Sequence, residues 1–388
     1  MDQYEKNQKK FNSYVFLSTF ARALIETFIP LLLFKFGYSL KEVVFYFFIY
    51  NLIELILTYP LVYIATKKGN KVLAIFGFLA FILLQVYLNN MVYGTIYLVI
   101  IAFLYALYRT GYWLSRRYFN LKVIHKKHIS STYSIVTIIN QVALVFAGYM
   151  GALFLDNIST FALTIVAGIL YIVSIIPLFM FKFEHDNTNT DVKLNMRKTF
   201  KEIPFSNLYL FGSYEILNVL KFFFTLYLFI YVKETYQTVG LFNVITNLSI
   251  IIFAYFYGKK TDGKKNYLKL SIFLTGVVYL LKANALGVFL VIVSLIEGIA
   301  IKMYELSINK ELYTLSKKFE YNNYNLMYEL LCKIFRGIVL FISYFFIAGR
   351  FENDLIIMIY ISVAIILLGL LFGIKKVRKK EFKFEETE

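Results

Sequence analysis

The residues best placed to do chemistry in this sequence are ionisable side chains that interrupt long apolar runs. Arg22 and Glu26 stand at i and i+4, so on a helix they share one face and each can neutralise the other. Glu329 and Lys333 repeat the spacing, with Arg336 one turn further. Arg109, Glu215, Lys221 and Glu297 lie inside other apolar runs, and neither Glu215 nor Glu297 has a basic residue at i±4. A charge at the centre of a membrane-spanning helix costs about 2.5–3.5 kcal/mol, so each of these needs a partner or a task. Two chemistries suit them: ion pairs that fasten neighbouring helices, or groups that bind a solute or exchange a proton. Arg22 and Glu26 admit both readings. Glu215 and Glu297 are candidate proton carriers, with a cross-helix salt bridge to Lys221 or Arg109 as the alternative. Glu329 with Lys333, and Glu54 with Asn51, read first as structural or gating groups.

The elements that must carry these residues follow from hydropathy. Apolar runs of spanning length, about 20 residues each, occupy 14–36, 41–65, 71–89, 93–115, 129–154 and 160–182, then 205–231, 238–257, 268–284, 286–305, 322–347 and 353–374. Twelve helices are expected, with the short gap Lys282-Ala283-Asn284 read as a turn. Alternate connections are basic: Lys67, Lys68 and Lys71; Arg116, Arg117, Lys122, Lys126 and Lys127; Lys193 to Lys201; Lys259 to Lys269; Lys310 to Lys318; and the tail 375–388. Connections between them are short and poor in charge. By the positive-inside rule both termini are cytoplasmic. Arg116 and Arg117 read as topology signals at a helix end.

Composition narrows the classes. The chain has 388 residues, 59% hydrophobic and 19% aromatic, with a formal charge of +17 and 4 prolines; its mean hydropathy is +0.65. A soluble core of this size cannot hide that much apolar surface. The positive charge is gathered into short inter-helix clusters, which argues for topology and against nucleic acid. The single Cys332 gives no disulfide framework and no cysteine zinc site. The N-terminal apolar run is too long for a cleavable signal. His125, His128 and His185 fall in basic linkers, and no Walker-type loop occurs, so neither an enzyme nor an ATP-driven pump is expected, and no cofactor or metal.

The expected organisation is an N-terminal six-helix bundle over 1–182, a linker over 183–204, a C-terminal six-helix bundle over 205–374, and a tail. The second half of the linker, with Met196, Phe200 and Ile203 among basic residues, is either an amphipathic surface helix or a tether. The halves of the chain correspond weakly. Thr66-Lys67-Lys68-Gly69-Asn70-Lys71 follows the second run, and Gly258-Lys259-Lys260-Thr261-Asp262-Gly263-Lys264-Lys265 follows the eighth.

On those two loops the chain resembles the major facilitator superfamily, whose signature G-x-x-x-D-(R/K)-x-G-(R/K)-(R/K) lies between helices 2 and 3 and often recurs between 8 and 9. The second copy keeps Gly258, Asp262, Gly263, Lys264 and Lys265 but is two residues shorter before its second glycine. The first keeps Lys67, Gly69 and Lys71, with Val62 and Thr66 in place of the leading glycine and the aspartate. The resemblance implies an all-α integral membrane fold of twelve transmembrane helices, two six-helix bundles with pseudo-two-fold symmetry. It also implies that these loops latch a gate, with the missing aspartate weakening the first latch. Ala147-Gly148-Tyr149-Met150-Gly151-Ala152 is similar to the family's antiporter motif but lacks its proline, and its small residues equally allow close helix approach. In such a fold helices 1, 4, 7 and 10 line a central cavity, which gathers Arg22, Glu26, Arg109, Glu215, Lys221 and Glu297, with Lys302 and Glu305 nearer the cytoplasm. Tyr105, Tyr108, Trp113, Tyr214, Asn218 and Tyr304 join them on the same helices.

The function implied is secondary active transport of a small polar, charged or amphipathic solute across the cytoplasmic membrane of a bacterial-type cell. Movement is by alternating access, with a cavity carboxyl able to couple it to protons. The alternatives are a lipid or lipid-linked-glycan flippase on the same fold and a receptor or scaffold without transport. Expected partners are the small-molecule or lipid substrate and membrane lipids, with no nucleic acid, and the chain is expected to be a monomer. Substrate, direction and coupling ion do not follow from the residues.

Overall fold

The computed structural model describes residues 3–123, 129–180, 200–232, 235–260, 267–316, 321–347, 349 and 352–373. Asp262 and Lys264 of the second loop, Gly263, the three histidines, residues 183–199 of the linker and the tail lie outside them.

The described elements are helices. They are α1 (Gln3–Glu26), α2 (Ile29–Lys35), α3 (Leu40–Lys68), α4 (Asn70–Asn89), α5 (Thr95–Val123), α6 (Ile129–Asn157) and α7 (Thr160–Phe179). Then follow α8 (Phe205–Tyr227) with a π-helical extension Leu228–Val232, α9 (Tyr236–Lys260), α10 (Leu268–Lys282), α11 (Gly287–Ser316), α12 (Tyr321–Phe346) and α13 (Glu352–Leu367), which ends in the 3-10 turn Leu368–Leu371. Every apolar run read from the sequence is found as a helix, although α1 begins eleven residues before its run, α5 ends eight residues after its run and α11 eleven after, and the chain turns at Ala283 and Asn284. Among the described residues, ten segments are long and apolar enough to cross a membrane, the first running through α1 and α2. Length excludes α10, at 15 residues. Charge excludes α12, which carries Glu329, Lys333 and Arg336 along its length.

Local chemistry sets the breaks. α1 gives way to α2 at Thr27–Phe28, because Pro30 in the first turn of α2 has no N–H to continue the ladder. Ser39 and Glu42 form a reciprocal capping box at the start of α3. The turn before α5 is pinned to that cap, since the Tyr93 hydroxyl donates to Glu42 at 3.0 Å, and the carboxylate raises the pKa of this exposed phenol. Gly69, at φ 87°, takes the chain from α3 straight into α4, a conformation L side chains rarely adopt. Ser159 caps α7 by accepting from the Ala162 N–H at 3.1 Å.

Packing follows small residues. α1 lies against α5, α6 and α7, α4 against α5 and α7, and α3 against α5. Later in the chain, α8 packs on α12 and α13, and α10 on α11 and α13, with α9 against α11. The two most extensive contacts between the earlier helices and the later ones are α6 with α9 and α3 with α12. The first is a glycine crossing. A Cβ on Gly240 would meet the Gly148 carbonyl oxygen at 2.8 Å and the Ala152 Cβ at 2.9 Å. Gly151 faces the Leu24 carbonyl of α1 with no room for a side chain. The small-residue stretch of α6 is thus a packing surface on both sides. Large apolar side chains such as Ile56, Ile96, Ile252 and Leu286 remain exposed on the periphery, as lipid contact requires.

Candidate functional site

Several charged residues of the apolar helices converge between the earlier and later elements. Glu54 of α3 accepts from Arg336 of α12 at 2.9 Å, and Arg109 of α5 approaches its other oxygen at 3.6 Å. Glu329 of α12 pairs with Lys333 on its own helix and with Arg117 of α5, and Arg117 also donates to Asn325 at 3.1 Å. The Asn51 amide donates to the Lys333 carbonyl at 2.8 Å. Lys302 of α11 bridges likewise, donating to Thr137 of α6 at 3.0 Å while pairing with Glu305 at 3.1 Å. One seam of ion pairs and hydrogen bonds therefore ties α3, α5 and α6 to α11 and α12. Continuous with it, Leu61, Val62, Ala65, Leu73 and Leu114 pack in one buried cluster with Leu326 of α12.

The opposite end is bridged by aromatic contacts. Phe28 meets Tyr236 edge-on at 5.7 Å, Lys35 lies over the same ring at 4.9 Å, and Phe47 of α3 packs on Phe222 of α8 with ring centres 3.8 Å apart. Asp156 accepts from the Gln237 N–H at 2.9 Å.

Between these layers α8 presents a polar stripe. Glu215, Asn218, Lys221 and Thr225 recur at helical spacing, with Asn218 and Lys221 exposed. The apolar neighbours Ile216, Leu217, Val219, Leu220, Phe222 and Phe223 are buried. That pattern is the reverse of a lipid-facing surface, so the stripe faces interior space. Tyr328 donates to one oxygen of Glu215 at 3.1 Å and Asn218 to the other at 2.9 Å. No cation lies within 4 Å of Glu215, and no carboxylate within 4 Å of Lys221, among the described residues.

A second cluster lies on the α1–α5 side. Arg22 pairs with Glu26 as their spacing implied, and its guanidinium lies 5.2 Å from the Tyr112 ring centre and 5.0 Å from that of Trp113. Arg116 lies over the same two rings at 5.6 and 5.2 Å. Its other contacts are neutral: Thr19 at 3.1 Å, Asn140 at 2.7 Å and the Tyr112 hydroxyl. Arg116 and Arg117, read in sequence as topology signals, also make specific contacts. Arg116 is only 8% exposed and buried against neutral acceptors, and Arg117 is a seam residue.

The structure also finds a partner for Glu297 that spacing does not offer. Glu297 of α11 is 3% exposed and bound to Lys282, the last residue of α10, and accepts from Thr246 of α9 at 3.1 Å. Neither Lys221 nor Arg109 pairs with it. Lys282 reads as a turn residue in sequence because it abuts Ala283-Asn284, and only the fold turns its side chain inward, over the Phe224 ring at 3.5 Å. Glu297 is thus held in a three-helix lock, whereas Glu215 is left with neutral donors. Of the loop candidates, Lys67 lies over the Tyr63 ring at 5.1 Å, Gly69 makes the turn, and Lys71 is half-buried at the start of α4. Thr66, where the family motif has its aspartate, donates to the Tyr63 carbonyl of its own helix at 2.7 Å. Gly258 falls within the backbone of α9.

Comparison with known proteins bears on this arrangement. The family described as the Major Facilitator Superfamily matches residues 13–301. No curated protein matches the sequence significantly. Among solved structures, the chain is similar to a bacterial homologue of the iron transporter ferroportin in an outward-facing state, with TM-score 0.68 at 17% identity, covering 94% of this chain and 98% of that one. It is also similar to the E. coli fucose:proton symporter FucP, with TM-score 0.65 at 16% identity, covering 95% and 99%. At these identities the likeness is one of fold.

Proposed function

The chain belongs to the major facilitator superfamily, and on that premise we propose that it is a secondary active transporter moving a small polar, charged or amphipathic solute by alternating access. The proposal assigns twelve crossings to the chain, α1 with α2 counting as one. They form two six-helix bundles over 1–182 and 205–374, joined by the linker 183–204, and both termini are cytoplasmic. The packing supports this division, since α6–α9 and α3–α12 are the principal contacts between the earlier and later helices. Two bodies joined along such lines can rock about a site between them.

The observation that carries the reading is the polar stripe of α8, with Asn218 and Lys221 exposed where the apolar residues of the same helix are buried. It lies between two layers of cross-bundle contacts that could open in turn. On the cytoplasmic side these are the seam of Arg117, Glu329, Glu54 and Arg336. On the far side they are Phe28 with Tyr236 and Phe47 with Phe222. Glu215 is the proposed proton carrier: with only neutral donors on it, a change in its charge breaks no ion pair. Similarity to a proton symporter is consistent with this role and does not assign it. Arg22–Glu26 and Glu297–Lys282 act as fixed pairs in this scheme.

The test is reconstitution in liposomes on a supported membrane, followed by rapid solute changes from a panel of metabolites and drugs. The reading expects transient currents or lumenal pH changes with some solutes, and proton movement abolished by Glu215→Gln while solute exchange persists. Scrambling of labelled lipid with no response to any soluble compound would replace transport with the flippase reading.

A further inference from the structure

We propose that the solute is an anion bearing a carboxylate or phosphate group, and that Lys221 is the cation that meets it. The inference rests on the transporter reading above. Lys221 sits mid-length on α8, exposed, with no carboxylate within 4 Å among the described residues. The carboxylates nearest in effect are already committed. Glu297, within electrostatic range of Lys221, holds Lys282 and accepts from Thr246. Glu305 is paired with Lys302, which also lies within range of Lys221. Glu297 and Glu305 are thus engaged and Glu215, on the same stripe, is bound by Tyr328 and Asn218, so an ammonium near two other ammoniums is a site of unspent positive potential.

The seam and the α1–α5 cluster also hold buried cations. Arg116 is buried against neutral acceptors. Glu54 is shared between Arg336 and Arg109. The Nε and Nη1 of Arg336 are shielded from solvent and donate to nothing, and the Nε of Arg109 reaches only Glu54, at 3.6 Å. Buried guanidinium donors without acceptors are costly, and a carboxylate or phosphate oxygen is the group that satisfies them. A cationic cargo would enter against this field, and a neutral one would leave Lys221 uncompensated inside the membrane. Among the described residues no three His, Cys, Asp or Glu side chains converge as a metal would require.

Two measurements test the proposal. The first uses Asn218→Cys, one turn from Lys221, in a Cys332→Ser background, and compares anionic and cationic methanethiosulfonate reagents of similar size. Lys221→Gln should shift their rate ratio toward the cationic reagent by on the order of fivefold, the effect of one unit charge about 7 Å away in a partly aqueous site. The second follows thermal stability with succinate, citrate, inorganic phosphate, fucose, choline and Co²⁺. Stabilisation by an acid anion, lost in Lys221→Gln, supports the proposal, and succinate against phosphate separates the two headgroup chemistries. Stabilisation by fucose, choline or Co²⁺ that survives Lys221→Gln overturns it, as does an unchanged rate ratio. No labelling of the cysteine at 218 from either side would instead remove the transporter reading itself.

Discussion

At the residue scale the interior charges fall into two kinds, and stability should tell them apart. Glu54 is 2% exposed and balances Arg336 and, at longer range, Arg109. Glu54→Gln leaves a buried guanidinium without its anion and should cost about 3–5 kcal/mol, read as a lower unfolding temperature in detergent. Adding Arg336→Met should recover part of that loss, because it removes one stranded guanidinium while Arg109 still faces a neutral side chain at position 54. Lys221→Gln touches no ion pair, and its effect should stay within roughly 0.5 kcal/mol. The sequence foretold the pairs at helical spacing, Arg22–Glu26 and Glu329–Lys333, because i,i+4 geometry is local. It could not foretell Arg336–Glu54 or Arg117–Glu329, whose members are more than 200 residues apart. Nor could it place Lys282 on Glu297, since a residue beside a turn carries no sign of which way its side chain faces.

At the scale of elements the sequence was far more legible. Bilayer thickness fixes run length, so apolar stretches near 20 residues define the helices before any contact is known. The contacts then depend on where small residues allow backbones to meet. The stretch Gly148 to Ala152 was ambiguous as a motif, and the structure assigns it to helix crossings with α9 and α1. Gly240→Val should force α6 and α9 apart, since the new side chain would collide with backbone and not with a movable side chain. A loss of about 1–3 kcal/mol or more is expected, visible as reduced folded yield and thermal stability. Gly94→Ala, with nothing within 4 Å of its added Cβ, should be neutral in the same assay. The first signature loop illustrates a motif partly spent on local structure: Gly69 makes the turn, and Thr66 bonds back into α3.

At the scale of the whole molecule, transport by this route requires two bodies that move. Seam contacts from Arg117 to Glu329 and Asn325 bridge them on one side, and Phe28–Tyr236 with Phe47–Phe222 on the other. Alternating access demands that the two layers open alternately, never together, so that the α8 stripe faces each side in turn. The most direct test is accessibility of Asn218→Cys to a membrane-impermeant thiol reagent in oriented proteoliposomes, with Cys332→Ser and the pair Arg117→Cys and Asn325→Cys. Without cross-linking, position 218 should label from both sides. Once a short bifunctional maleimide has joined 117 to 325, labelling from the cytoplasmic side should be lost and labelling from the opposite side should persist. Unchanged two-sided labelling after cross-linking, or protection of 218 from both sides throughout, would contradict the account.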